Sequence, residues 1–245
     1  MMDLHCHILP GIDDGAKNLN ESLAMAKKAV DQGITHILCT PHHNQRFQNP
    51  KADVLEAVPK LQAELDQRKI PLTLFEGQEV RIHSDLLREI AADRILFTDV
   101  EDTYLLIEFP TREIPVYAEQ LLYQLRKQGK VPIIVHPERN FGFQESPNRL
   151  LSFLNMGCLA QLTAPSVVGI YGKTTQKLSH QMLANGMVQM IASDAHARNK
   201  RDFYLKEAYA YVRKHFGEEK LTEMDTICRA VINGDRVQAP QYIPL

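Results

Sequence analysis

Two histidines one residue apart, His5 and His7, close a short apolar run that begins at Met1. Residues i and i+2 of an extended strand share a face, so both imidazoles project together while Cys6 points away. Such a pair can grip one metal ion. A second i, i+2 pair, Asp194 and His196, stands in Ser193-Asp194-Ala195-His196, and Asp14, His42, Glu79, Glu108 and His136 fall between the two pairs. Taken singly these residues are ambiguous. Asp13 and Asp14 can simply make a turn before Gly15, the commoner reading of such a pair, and His42 can be a loop histidine beside His43. Glu108 follows Leu105-Leu106-Ile107, where a carboxylate without a partner would be expensive. His36, His83, His180 and His215 fall on strand or helix faces away from strand ends and read as structural or surface groups.

The elements that must position these residues repeat along the chain. An amphipathic stretch ends at Gly33, Gly129, Gly157 or Gly186, and an apolar run follows each time, at Ile34-Cys39, Val131-Val135, Cys158-Leu162 and Met187-Ala192. Glycine at the helix C′ position accounts for each stop. Met2-Ile8, Leu72-Val80 and Tyr104-Phe109 complete seven strand-like runs. Helices are expected over 20–32, 53–68, 84–92, 114–128, 147–156, 173–185 and 202–216, with Asn20 capping the first and Ser146-Pro147 starting the fifth. A last helical stretch over 218–233 and the tail Ala239-Leu245 read as a terminal cover. Strands alternating with helices imply a parallel sheet with crossover connections, and seven in succession favour a closed α/β barrel over an open sheet.

At 245 residues and 44% hydrophobic content, one domain over 1–245 can bury a substantial core. A net charge of −2 provides no basic field for nucleic acid, and Lys27-Lys28 and Lys200-Arg201 read as solvated faces. No run of about 18 apolar residues and no signal-peptide pattern is found, so a soluble cytoplasmic protein without membrane insertion is expected. Cys6, Cys39, Cys158 and Cys228 include no C-x-x-C pair, which fits reduced thiols.

On that scaffold the candidate ligands end six of the seven strands, at the face where such barrels build active sites. Convergence is the argument. Four carboxylates, Asp14, Glu79, Glu108 and Asp194, with five imidazoles exceed what one ion can coordinate. Three divalent ions match better, particularly if Glu79 bridges two, and leave a charge of about +2 suited to a phosphate ester and a metal-bound hydroxide. A nitrogen and oxygen donor set without thiolate suits Mn²⁺, Fe²⁺ or Zn²⁺. The chemistry is that of a metallohydrolase. A thiol mechanism fits poorly, because cysteine-dependent phosphatases use C-x5-R and six residues separate Cys39 from Arg46.

In order and spacing, His5-x-His7, Asp14-Gly15, Pro41-His42, Glu79, Glu108, His136-Pro137-Glu138-Arg139 and Ser193-Asp194-x-His196 resemble the PHP (polymerase and histidinol phosphatase) superfamily over nearly the whole chain. Within it, Asp13-Asp14-Gly15, Leu106-Ile107-Glu108-Phe109 and His136-x-Glu138-Arg139 are similar to the bacterial manganese-dependent protein-tyrosine phosphatases that act on capsule and exopolysaccharide tyrosine kinases. Many other members have histidine where this chain has Asp14 and Glu108. The resemblance implies a distorted seven-stranded (β/α)7 TIM-like barrel holding three ions, with Mn²⁺ expected. It allots His5, His7, Glu79 and Asp194 to one ion, Glu79, Glu108 and His136 to a second, and Asp14, His42 and His196 to a third. Arg139 and Arg201 match arginines that contact phosphate, with Arg198 a nearby competitor; otherwise Arg201 would read as surface charge.

The activity so implied is hydrolysis of phosphotyrosine, on a bacterial tyrosine kinase, by attack of a metal-bound hydroxide. Two alternatives stand beside it: a phosphatase of a small phosphomonoester such as histidinol phosphate, and a metal-holding module that binds a kinase tail without hydrolysis. Segments 43–52, 110–114 and 140–147 are expected to border the mouth.

Overall fold

The computed structural model describes residues 1–198, 201–238 and 241–245, so Lys200 and the first two residues of the Ala239-Leu245 tail lie outside the described residues. Nine short strands are found among these: β1 (Met2–Cys6), β2 (His36–Cys39), β3 (His42–His43), β4 (Thr73–Glu76), β5 (Glu79–Arg81), β6 (Tyr104–Glu108), β7 (Val131–Val135), β8 (Leu159–Thr163) and β9 (Met190–Ala192). They form a three-stranded sheet in the order β1-β2-β4 and a six-stranded sheet in the order β3-β5-β6-β7-β8-β9. All pairings are parallel. This is the expected α/β alternation, but it does not form one continuous closed sheet.

The interruptions have local causes. Pro41, which cannot donate to a ladder, separates β2 from β3. The expected run Leu72-Val80 divides into β4 and β5 around Gly77-Gln78, where a Cβ on Gly77 would lie 2.7 Å from the Leu38 side chain. Between β1 and the segment that follows β9 there is an isolated parallel bridge, Cys6 to Ala195. It is reinforced by His7 N donating to Ala195 O at 3.0 Å and Asp194 N to His5 O at 2.8 Å. Asp3 clasps the same seam: its carboxylate accepts from Ser193 N at 2.9 Å and Ser193 Oγ at 2.5 Å. Burial pushes the Asp3 carboxyl up to about 6, against the lowering effect of those bonds.

The strand register also slips between Asp3 and Cys6. A slip of this kind reverses which face a side chain takes. Leu4 therefore joins an interior cluster with Leu38, Leu106, Ile133, Val135, Leu159 and Met190, while Cys6 packs into the larger cluster against the helices.

The helices are α1 (Leu19–Asp31), α2 (Lys51–Gln67), α3 (Leu86–Ala91), α4 (Ala118–Lys127), α5 (Phe141–Glu145), α6 (Leu150–Asn155), α7 (Ala164–Val168), α8 (Lys173–Ala184) and α9 (Leu205–Asn233). The cap of α1 is Asn18, not Asn20: Asn18 has extended backbone and its Oδ1 accepts from Glu21 N at 3.1 Å. Ser146 begins a short 3-10 turn, Pro147–Arg149, before α6 and makes no side-chain cap. The glycines after α1, α4, α6 and α8 take left-handed φ of 83, 79, 88 and 68°, as a C′ stop requires. α9 bends at Gly217 (φ 83°), joining the two helices expected over 202–216 and 218–233, and its Cys228 and Val231 seal the interior cluster. β3, α5 and α7 are too short to leave a periodic signal. No described helix is long and apolar enough to cross a membrane.

Candidate metal centre

The parallel strands all point their C-terminal ends one way, and the side chains at those ends meet. His5 Nε2 and His7 Nε2 are 3.3 Å apart. Each lies 3.3–3.4 Å from Glu79 Oε2 and 3.2–3.5 Å from Asp194 Oδ1. Bonds of about 2.1 Å to one four-coordinate ion set ligand-to-ligand edges of about 3.4 Å, so these atoms are spaced as co-ligands would be. Asp14 Oδ1 lies 3.3 Å from both His42 Nε2 and His196 Nε2. Glu79 is central: besides His5 and His7 it meets His136 Nε2 at 2.8 Å and His42 Nδ1 at 2.7 Å.

Four of these atoms, Asp14 Oδ1, His42 Nδ1, Glu79 Oε2 and His196 Nε2, are buried without a hydrogen-bond partner among the described residues. His42 Nδ1 and Glu79 Oε2 are close yet not aligned to bond. Buried polar atoms left this way need another partner. A mixed imidazole and carboxylate set fits a divalent cation. The groups within reach of single ions are His5, His7 and Asp194; His5, Glu79 and His136; His42, Glu79 and Glu108; and His7, Asp14, His42 and His196. Glu108 thus gathers with His42 and Glu79 and not with His136. Its Oε2 accepts from Arg81 Nε at 2.8 Å, which holds it 3.9 Å from His42 Nδ1.

Electrostatics divide the imidazoles. Burial, with Arg139 nearby, pushes His136 down to about 3, and burial, with His7, pushes His196 down to about 4. Both are neutral near pH 7, the form that can ligate. Burial opposes charge on His7 and His42 too, but Asp13 holds the first well above its ordinary value and Glu79 lifts the second to about 9. Those protons are the ones a cation would replace. Burial raises Glu108, and the neighbouring Glu79 charge raises it further. Two ligand-type residues also sit in left-handed backbone, His136 at φ 39° and Asp194 at φ 51°. Strain of this kind gathers at functional sites.

Both expected arginines reach the cluster. Arg139 Nη2 is 2.6 Å from Asp194 Oδ2, and Arg201 Nη2 donates to both Asp194 oxygens at 3.0 Å. Burial would raise the Asp194 carboxyl, yet these two guanidinium groups hold it well below the usual range. Arg198 is 54% exposed and 4.0 Å from Asp14, whereas Arg201 is 24% exposed. Arg201 is therefore the inner of the two.

Several positioning groups escaped the sequence. Asp13 Oδ2 takes His7 Nδ1 at 2.7 Å and His42 N at 3.1 Å, while its Oδ1 caps Gly15 N at 2.8 Å. Nothing in Asp13-Asp14 tells which carboxylate faces a cation and which orients an imidazole. Gln161 Oε1 bonds His5 Nδ1 at 2.9 Å. Such partners fix ring orientation behind a metal ligand. Glu138 Oε1 accepts from Thr163 N, Thr163 Oγ1 and Ser166 Oγ, pinning the 3-10 turn Pro137–Arg139 to β8. Arg81 was missed as well, although the i, i+2 rule that pairs His5 with His7 would have paired Glu79 with Arg81.

Of the cluster, Asp14, His42, Glu79, Glu108 and His136 line a cavity of about 640 Å³, together with Arg46, Phe47, Arg81, Thr111, Asn140 and Tyr171. Phe47 stacks on His42 with centroids 6.0 Å apart and planes at 11°. Segments 43–52, 110–114 and 140–147 each contribute lining residues. The histidines set aside from the site stay outside it: His36 stacks on Phe75, and His180 and His215 flank Tyr211.

A family profile described as Capsular polysaccharide synthesis, CpsB/CapC, matches residues 1–230. The tyrosine-protein phosphatase YwqE of Bacillus subtilis (strain 168) is 42% identical over 221 residues, 89% of this chain and 86% of that protein. The putative tyrosine-protein phosphatase CapC of Staphylococcus aureus is 40% identical over 210 residues, covering 85% and 82%. A solved structure from the work on YwqE of Bacillus subtilis and CpsB of Streptococcus pneumoniae, described as unique metal-dependent tyrosine phosphatases, superposes with a TM-score of 0.94 at 38% identity over all of both chains. The organophosphorus hydrolase from Deinococcus radiodurans shares only the fold, at 12% identity and a TM-score of 0.55 over 94% of this chain and 91% of that one.

Proposed function

This chain belongs to the CpsB/CapC family of capsular polysaccharide synthesis, and we propose on that premise that it is a metal-dependent protein-tyrosine phosphatase. One observation carries the reading: five imidazoles and four carboxylates, Glu79 central among them, gather at the strand ends, where Asp14, His42, Glu79, Glu108 and His136 line one cavity with Arg139 and Arg201. Three divalent ions, with Mn²⁺ the first choice, match that donor set. His5, His7, Glu79 and Asp194 would hold one; Glu79 and Glu108, with His136 or His42, would hold a second; Asp14, His42 and His196 would hold the third. When bound, such ions supply Lewis acidity and a nucleophilic water at neutral pH.

The remaining work belongs to the chain's own residues. Arg139 and Arg201, fixed beside Asp194, present planar donors that suit the equatorial oxygens of a phosphoryl group. Asp13 and Gln161 hold the His7 and His5 rings so that each turns Nε2 inward. Phe47, its ring near-parallel to that of His42, offers an apolar wall to the aromatic ring of the ester. The two parallel sheets are read as the seven strand positions of a barrel in one domain, with its seam at the Cys6 to Ala195 bridge. The physiological substrate is proposed to be a phosphotyrosine of a bacterial tyrosine kinase controlling capsule synthesis, in the cytoplasm.

The test joins metal analysis to turnover. Purified protein should contain manganese, iron or zinc and hydrolyse a phosphotyrosine peptide in a chelator-sensitive way, well ahead of histidinol phosphate. Preference for histidinol phosphate would move the assignment to a small-molecule phosphatase, and chelator-insensitive turnover would end the metal reading.

A further inference from the structure

β8 ends in Thr163 and supplies no acidic or histidine ligand, yet the segment that follows α7 reaches the same cavity. α7 ends at Gly169 (φ 88°), and Ile170 and Tyr171 follow before Gly172 (φ 95°), so two left-handed glycines bracket a tight turn. That turn brings Tyr171 to the cavity wall. Its ring lies under the Arg139 guanidinium, with Cζ 5.6 Å from the centroid. Its hydroxyl oxygen is buried and has no hydrogen-bond partner among the described residues. Arg139 and Arg201 line the same cavity as Tyr171.

A buried phenol without a partner is costly, and Tyr hydroxyls in such places normally find one. Here Arg139 lies over its ring and Arg201 lines the same cavity, and these are the two cations proposed to hold a phosphoryl group. We infer that Tyr171 is the third arm of an oxyanion cradle, donating its O–H to a phosphate oxygen that Arg139 and Arg201 also bind. This rests on the phosphatase reading for the identity of the anion. It adds a phosphate contact to the strand whose Gln161 already orients the His5 ring. It also gives the Gly169 to Gly172 turn a purpose, since a phenol on a tight turn backed by α7 is held with little freedom to lose on binding.

The experiment uses the metal-loaded full chain with inorganic phosphate as the probe, measured by calorimetry beside turnover of a phosphotyrosine peptide. Tyr171→Phe keeps the ring under Arg139 and removes only the hydroxyl. The expected result is a phosphate Kd raised about tenfold, as for loss of one hydrogen bond to a charged group. Metal content should be unchanged and the melting temperature of the phosphate-free protein no lower, because no bond within the protein is lost. Tyr171→Leu, which also removes the ring, should weaken phosphate further by freeing Arg139. A Tyr171→Phe protein that binds phosphate as wild type does, or that loses metal, overturns the inference. Wild-type protein that binds phosphate without cleaving the peptide would overturn the proposed reaction while leaving the cradle to be judged on its own binding data. Failure of wild type to bind phosphate would overturn both.

Discussion

Histidine is concentrated in two regions of this molecule, and only one of them is built to hold cations. At the strand ends, five imidazoles are interleaved with Asp14, Glu79, Glu108 and Asp194, most of them buried. Between α8 and α9, His180 stacks on Tyr211 at 4.0 Å and His215 lies 4.3 Å from the same ring. There, His180 Nε2 bonds the Val167 carbonyl, and the groove around it is lined by Lys173 and Lys177 without a carboxylate. The difference teaches that the histidine count is a poor guide. What makes a cation site is carboxylate charge brought into burial by parallel strands that end together, because buried anions must find a counter-charge.

The largest effect should separate the two regions outright. Asp194→Ala or His136→Ala should lower kcat by on the order of a thousandfold through loss of catalytic metal. His180→Ala or His215→Ala should change it less than about twofold, and near-normal rates in both strand-end variants would erase the contrast. One step smaller is Asp13→Ala, which removes no proposed ligand but frees the His7 ring. Metal affinity should fall about 10- to 100-fold, read by titration into chelator-treated protein; unchanged affinity would make Asp13 a turn residue only.

The pH response of chelator-treated protein sharpens the comparison further. His136 and His196, held at about 3 and about 4, take up protons on unfolding when the pH lies below about 6.5. Their contribution is whole above that pH and is lost as pH falls through the window. His42, raised to about 9, has the opposite sign, stabilising fully below about 6.5 and losing its contribution as pH rises through 9. His136→Gln should therefore lose less melting temperature than wild type between pH 6.5 and pH 4, by several degrees, whereas His180→Gln should follow wild type. Equal slopes for His136→Gln and wild type would deny that His136 is buried neutral. The smallest effect belongs to the thiols. Burial pushes Cys39 far up, and Cys39→Ser should leave turnover within about threefold; abolished chemistry with metal still bound would sink the metal mechanism.

Legibility from sequence followed local physics. The glycine stops, the alternation of apolar runs with amphipathic stretches and the bend at Gly217 were readable because each depends on a few neighbouring residues. The division of Leu72-Val80 into two strands was not, because it depends on Gly77 meeting Leu38 across the sheet. Within the site, His5, His7, Asp14, His42, Glu79, Glu108, His136, Asp194 and His196 could be nominated as strand-end donors. Asp13, Gln161 and Tyr171 could not, since a carboxylate in a turn, an amide on a strand and a phenol in a loop take meaning only from what they face.

By itself, then, the sequence determined which donors the chain possesses and that they end parallel strands, because residue type and hydrophobic period are local properties. Only the tertiary structure decided how they are shared: Glu108 gathers with His42 through Arg81, Asp13 stands behind His7, and Arg201, not Arg198, reaches Asp194. Those choices turn on distances of a few ångströms between segments up to 190 residues apart, as in the Asp3 to Ser193 clasp at the seam, and such distances follow from packing and not from spacing along the chain.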